Sequence, residues 1–159
     1  MNGVITAADL ALSQQLNPKV ERYLKIIHSS GYSLLGIIND ILDFSKIEAG
    51  QLKLEETPFQ LPELVTEVIE VMGVKAREKQ LDLSHDISPD VAGKVVGDPM
   101  RLHQILYNLV GNAIKFSSQG EVRIGVKTTP NGPLHFQVID SGIGISPERQ
   151  AAIFKPFTQ

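Results

Sequence analysis

The stretch from Asp98 to Phe116, Asp-Pro-Met-Arg-Leu-His-Gln-Ile-Leu-Tyr-Asn-Leu-Val-Gly-Asn-Ala-Ile-Lys-Phe, constrains the fold more than any other. At about 100° per residue, Arg101, Gln104, Asn108, Asn112 and Lys115 fall on one narrow face of a helix. Leu102, Ile105, Leu106, Leu109, Val110, Ala113 and Ile114 cover a broad apolar face. Asp98 suits the N-cap and Pro99 the first helical position, so the start of the helix is marked as well as its faces. One side must pack while the other presents amides and cations.

A second helix is written upstream. Val4, Ile5, Leu10, Leu12 and Leu16 read as the end of a helix, and Asn17 and Pro18 then supply a cap and a first-turn proline. From there Val20, Leu24, Ile27, Gly31, Leu34, Ile38 and Ile41 repeat at alternating four and three spacing, a heptad seam. Run to Gly50, this helix is about 50 Å long, more than one small domain covers. It needs partner helices, either in an intramolecular hairpin or, as the favoured reading, in a two-fold bundle between chains.

Gly50 closes that helix, and the pattern changes to alternation at Leu52, Leu54, Pro58, Phe59 and Leu61. The domain boundary is expected there, dividing the chain into 1–50 and 51–159. Pro62 to about Lys79 reads as an amphipathic helix with Leu64, Val65, Val68, Ile69 and Met72 inward. Leu81, Leu83 and Ile87 alternate as a strand, Val95 and Val96 form a short one, and Val122, Ile124 and Val126 face one way in another. Pro130 to Pro133 turn the chain into Leu134, Phe136 and Val138, which predicts an antiparallel hairpin. Helices alternating with such strands imply an α+β fold, a two-layer sandwich with the helices on one face of an antiparallel or mixed sheet.

Composition removes several classes of function. The formal net charge is −3, and the 15 Lys and Arg are spread along the chain, so no basic footprint for nucleic acid exists. There is no Cys, which excludes disulfides and thiolate zinc sites and fits a reducing compartment. No signal-peptide pattern and no apolar tract of spanning length is present.

The chemistry gathers at two places. Alternation along the strand ending at Asp140 puts this carboxylate on the side of Phe136 and Val138, where it needs a partner. Asp140, Ser141 and Gly142 fit an ordinary turn in which the carboxylate bends back to its own backbone. They also fit an acceptor at the floor of a cleft, with Gly142 and Gly144 letting a ligand approach the backbone closely. Asn108, Asn112 and Lys115 would line the cleft wall: amide oxygens suit a hard cation such as Mg²⁺, and the lysine meets phosphate charge. Two asparagines four apart also fit a plain polar stripe. No Gly-x-x-x-x-Gly-Lys-Ser/Thr loop occurs, which excludes a Walker-type cradle, and the glycines do not complete a dinucleotide fingerprint. An aspartic-protease reading of Asp140-Ser-Gly142 lacks a second such carboxylate and leaves the asparagines unexplained.

Four stretches in this order resemble the sensor histidine kinases of two-component signalling, particularly the hybrid type, and the likeness covers nearly the whole chain. Asn108 to Phe116 resembles the N box, Asp140-Ser-Gly-Ile-Gly-Ile145 the G1 box, Phe154-Lys-Pro-Phe157 the F box, and Ile38 to Gly50 the end of the second dimerisation helix. The resemblance implies a Bergerat-type ATP-binding sandwich and transfer of the ATP γ-phosphoryl group to a histidine. It implies that Asp140 accepts from the adenine amino group, that Asn112 with Asn108 binds Mg²⁺, that Lys115 contacts phosphate, that Gly142 and Gly144 shape the pocket, and that Phe154 and Phe157 anchor a mobile lid. It further implies a homodimer through helix 17–50, a response regulator or receiver domain as partner, and a cytoplasmic location within a sensor that can be membrane-anchored.

The chain departs from the pattern at both ends. The family's acceptor lies in a His-Glu-x-x-x-Pro box, which none of His28, His85, His103 and His135 carries, and no Gly-x-Gly-x-Gly segment follows Phe157. The expectation is a parent kinase whose 159 residues here do not autophosphorylate and bind ATP weakly or not at all. The alternative from another class is a dimerising scaffold module without nucleotide turnover.

Overall fold

The computed structural model describes residues 2–14, 16–130, 132–150 and 152–153. The chain divides into two compact units, Met1–Lys53 and Leu54–Gln159.

The first unit is a helical hairpin of α1 (Asn2–Leu12) and α2 (Pro18–Glu48). Asn17 caps α2, its side-chain oxygen accepting from the Lys19 N–H at 2.9 Å. At the other end the Gly50 N–H donates to Ile47 and the Gln51 N–H to Lys46, the paired bonds that close a helix when the residue between them is left-handed. Gly50 takes that conformation, at φ 64. The helices run antiparallel: Ile5 packs over Gly31, where a Cβ would come within 2.9 Å of it, and His28 Nε2 lies 2.8 Å from Asp9 Oδ1. Ile5 and Ala8 are buried by this contact. The hairpin thus forms within the chain, and it divides the heptad seam. Gly31 faces α1, whereas Val20, Ile27, Leu34, Ile38 and Ile41 remain exposed, off the face that α1 covers or beyond its end.

The first strand of the second unit is β1 (Thr57–Gln60); residues 51–56 form no helix or strand. β1 pairs antiparallel with β3 (Lys94–Gly97). A separate sheet has the order β2 (Asp82–Ile87), β4 (Glu121–Thr128), β5 (Leu134–Asp140). β2 and β4 are parallel, so the sheet is mixed, while β4 and β5 form the expected antiparallel hairpin from Thr128 opposite Leu134 to Val122 opposite Asp140. α3 (Leu61–Glu78) and α4 (Pro99–Phe116) lie on one face of this sheet, and a short α5 (Pro147–Gln150) follows β5.

The core explains the register. Val122, Ile124 and Val126 alternate inward from β4 and meet Leu61, Val65, Val68 and Met72 of α3 and Leu106 and Val110 of α4, all fully or nearly fully buried. A shift of one residue in β4 would turn Arg123 and Gly125 onto the helices instead. On α4 the buried stripe is narrower than its apolar positions: Ile105 and Leu109 are 55% and 47% exposed. They stand between the buried residues and the amides, where the sheet no longer reaches.

Candidate functional site

α4 places its polar residues on the open face of the sandwich. Asp98 caps it, Oδ1 accepting from the Arg101 N–H at 3.0 Å and Oδ2 from the Glu55 N–H at 3.3 Å. The bond from Arg101 holds this carboxyl below the usual carboxylate range. Arg101 donates from Nη1 to Gln104 Oε1 at 3.0 Å, which engages this end of the stripe within the helix. Asn108 and Asn112, one turn apart, are exposed, and among the described residues neither amide has a hydrogen-bond partner. Lys115 is exposed and carries its ammonium 5.0 Å from the centre of the Phe116 ring.

The C-terminal end of α4 abuts the loop after β5. The Ile143 N–H donates to the Phe116 carbonyl at 3.4 Å. Ser141 fastens the same loop to the α4–β4 turn: its hydroxyl donates to Gln119 O at 2.7 Å and accepts from the Glu121 N–H at 3.1 Å. Asp140 is exposed, because β5 ends there, beyond the helix-covered part of the sheet that shields Phe136 and Val138. The buried carboxylate expected from strand alternation is therefore corrected. Its Oδ1 accepts from the Gly142 N–H at 2.8 Å, the local turn that the sequence also allowed. A turn of this kind and a ligand acceptor are compatible, since the second oxygen has no partner among the described residues.

Gly142 is fixed by packing. A Cβ there would stand 2.8 Å from the Phe116 carbonyl oxygen and 2.6 Å from Asp140 Oδ1. Gly144 is required for a different reason, its φ of 68, which a side chain rarely adopts. Around this corner Ile143 and Ile145 are exposed, at 85% and 50%, as is Phe116. Phe154 and Phe157, the expected lid anchors, lie outside the described residues.

The structure thus joins the two ends of the predicted site at the Phe116–Gly142 contact, with Asn112 and Lys115 one turn or less from it. Lys79 was not legible in the sequence: its ammonium reaches from the end of α3 to the carbonyls of Ile114 and Lys115, each at 2.8 Å. No local pattern signals that bond, which exists only once α3 and α4 are packed. A separate apolar hollow of about 270 Å³, lined by Phe59, Val95, Leu102, Leu134 and Phe136 among others, lies at the far end of α4 and includes none of the predicted site residues. No group of three or more His, Cys, Asp or Glu that could hold a metal occurs among the described residues, nor does a helix long and apolar enough to cross a membrane.

The chain thus combines a sandwich, whose helix presents two amides and a lysine beside an Asp-x-Gly turn, with a helical hairpin. Comparison with known proteins gives the family. Residues 97–159 match the "histidine kinase-, DNA gyrase B-, and HSP90-like ATPase" family, and residues 1–50 match the "His Kinase A (phospho-acceptor) domain". The signal transduction histidine-protein kinase BarA of Escherichia coli is 42% identical over 163 residues, which cover all of this chain and 18% of BarA. Full-length ShkA, solved in complex with AMPPNP, superposes with a TM-score of 0.83 at 33% identity, over 99% of this chain and 34% of that one. The catalytic domain of the histidine kinase ThkA gives 0.59 at 32% identity, over 66% of this chain and 71% of that one. The chain belongs to the sensor histidine kinase family. It spans about a fifth of the length of the curated relatives named first among its matches.

Proposed function

We propose that this chain is the ATP-binding catalytic region of a sensor histidine kinase, residues 51–159, with part of its dimerisation unit, residues 1–50. The observation that carries this reading is the joined corner: the Asp140 turn is packed against the last turn of α4, which bears Asn112 and Lys115. Asp140 offers a carboxylate oxygen to the amino group of a base. Ile143 and Ile145, with Ile105, Leu109 and Phe116 beside the amides, supply apolar surface for its ring. Lys115 neutralises phosphate charge, and Gly142 and Gly144 keep the floor free of side chains. Phe154 and Phe157 are assigned to the lid by motif alone.

Two exposed amide oxygens, with no carboxylate cage among the described residues, fit Mg²⁺ that takes its remaining ligands from phosphates and water, so Asn112 and Asn108 would hold it. When bound, Mg²⁺ offsets the phosphate charge that transfer to a histidine concentrates. The chain's contribution to that transfer is positioning and charge neutralisation. The acceptor is a histidine of the parent outside these residues: His28 is paired with Asp9 and followed by Ser29, not the acid of the acceptor box. A receiver domain or response regulator takes the phosphoryl group onward, and the region is read as cytoplasmic.

Calorimetric titration with AMPPNP and Mg²⁺ tests the site. Weak binding is expected, lost in Asp140→Asn and made independent of Mg²⁺ in Asn112→Ala; binding indifferent to both substitutions would refute the assignment. With labelled ATP, no stoichiometric phosphohistidine is expected on this chain. The exposed apolar residues of α2 favour a second role, dimerisation, which holds with or without nucleotide turnover.

A further inference from the structure

We infer that Lys79, which belongs to none of the motifs above, is a positioning residue of the nucleotide site: it holds the last turn of α4 so that the Phe116 carbonyl meets the Asp140–Gly144 loop. The inference rests on the reading of that corner as the nucleotide site.

A helix leaves its last carbonyls without partners, and buried ones must be satisfied from outside. At the end of α4 each has a partner. Ala113 accepts from the Ser117 N–H at 3.0 Å and Phe116 from the Ile143 N–H at 3.4 Å. Ile114 and Lys115 both accept from the Lys79 ammonium at 2.8 Å, and Ser117 O lies 3.4 Å from it. One cation from the neighbouring helix therefore completes the set, at the end of the helix where the macrodipole favours positive charge. The hydroxyl of buried Ser117 has no partner among the described residues, so it does not share the task.

The end of α3 is built to deliver that ammonium. The Gln80 N–H donates to Arg77 and the Leu81 N–H to Ala76, with Gln80 at φ 57, a conformation that residues other than glycine seldom take. This closure ends α3 at its C-cap, Lys79, and sends Leu81 into the core. Without the ammonium, the Ile114 and Lys115 carbonyls face water or nothing, and the turn carrying Lys115 and Phe116 frays. Lys115 and Asp140, on opposite sides of the Phe116–Ile143 bond, then lose their mutual placement.

The test compares the unsubstituted chain with Lys79→Met, which keeps the stem and removes the charge, and Lys79→Arg, which keeps a cation able to reach several carbonyls. AMPPNP affinity with Mg²⁺ is measured alongside residue-resolved amide hydrogen exchange. Lys79→Met is expected to bind about tenfold more weakly and to exchange faster at Gly142 and Ile143 but not at Ile124. Lys79→Arg is expected to restore both. Unchanged exchange at the two loop amides overturns the inference, whatever the affinity, since Lys79 would then act by touching nucleotide or not at all. Faster exchange everywhere, Ile124 included, also overturns it, because Lys79 would be a general stabiliser. If the unsubstituted chain fails to bind AMPPNP, the nucleotide reading falls, while the loop amides still decide whether Lys79 holds the corner.

Discussion

The carbonyl oxygen of Phe116 lies 2.8 Å from the point that a Cβ on Gly142 would occupy. Backbone cannot yield there as a flexible side chain could, because the Phe116 carbonyl also accepts from Ile143. Gly142→Ala should therefore push the loop off the end of α4, with a loss of about 1–3 kcal/mol in stability by overpacking. Nucleotide binding should fall with it. Gly144→Ala meets no atom within 4 Å and should cost only the left-handed backbone, about 1–2 kcal/mol. Thermal denaturation and titration of both variants check the contrast, which an equal loss of affinity in the two would contradict.

Asp140→Asn separates the acceptor from the turn. The amide oxygen can still accept from the Gly142 N–H, so the loop should keep its shape and the melting temperature should stay within a degree or two. A base amino group, however, would face an NH₂ or a neutral oxygen in place of a carboxylate. Affinity for AMPPNP should drop by at least tenfold, given about 1.5–3 kcal/mol for a hydrogen bond to a charged group. A large fall in melting temperature would instead assign Asp140 to the turn alone.

Much of this arrangement is legible in the sequence where local chemistry decides it. Asp98-Pro99 and Asn17-Pro18 mark helix starts that the structure reproduces, because a cap is satisfied within one turn. The inward set Val122, Ile124 and Val126 follows from period-two alternation alone. What the pattern misassigns is decided by neighbours far along the chain. Ile105 and Leu109 look like core but stand beyond the sheet's reach, and Asp140 looks buried but sits where its strand has run out. Lys79 and Ser141 gain their roles only from packing, since their partners lie 20 to 38 residues away in sequence.

The cap of α4 carries a pH dependence. The Asp98 carboxylate accepts backbone N–H bonds in the folded state and none when unfolded, which lowers its folded value below the ordinary 3.8. A depressed carboxyl stabilises the fold above its unfolded value, and that contribution disappears as pH falls through the lower folded value. The stability difference between the unsubstituted chain and Asp98→Ala should thus be constant from neutral pH to about pH 5 and shrink below about pH 4. Urea titrations across that range measure it; a difference that shrinks between pH 7 and pH 5 would place its origin in another group.

The turn that ends α3 stores strain at a single residue. Gln80 stands at φ 57, where glycine has no penalty, and its side chain makes no hydrogen bond among the described residues. Gln80→Gly should raise stability by about 0.5–1 kcal/mol once the added freedom of the unfolded chain is subtracted. Unaltered AMPPNP affinity is expected, since Lys79 keeps its place, and a lower melting temperature would show that Gln80 contributes more than its backbone.

The exposed seam of α2 sets the last expectation. Leu34 and Ile41, at 47% and 48% exposure, lie on the stripe that α1 leaves uncovered, and burying such side chains yields about 1.5–3 kcal/mol each. An apolar stripe of this kind on a helix closed at both ends fits a second copy of the same helix, related by a two-fold axis. Leu34→Asp with Ile41→Asp removes that gain and places like charges across the axis, without touching the Ile5–Gly31 contact. The dimer constant should weaken by at least a hundredfold, while helicity by circular dichroism is retained. Light scattering at micromolar concentration reads the outcome: a monomer before substitution, or a dimer after it, would each assign assembly to some other surface.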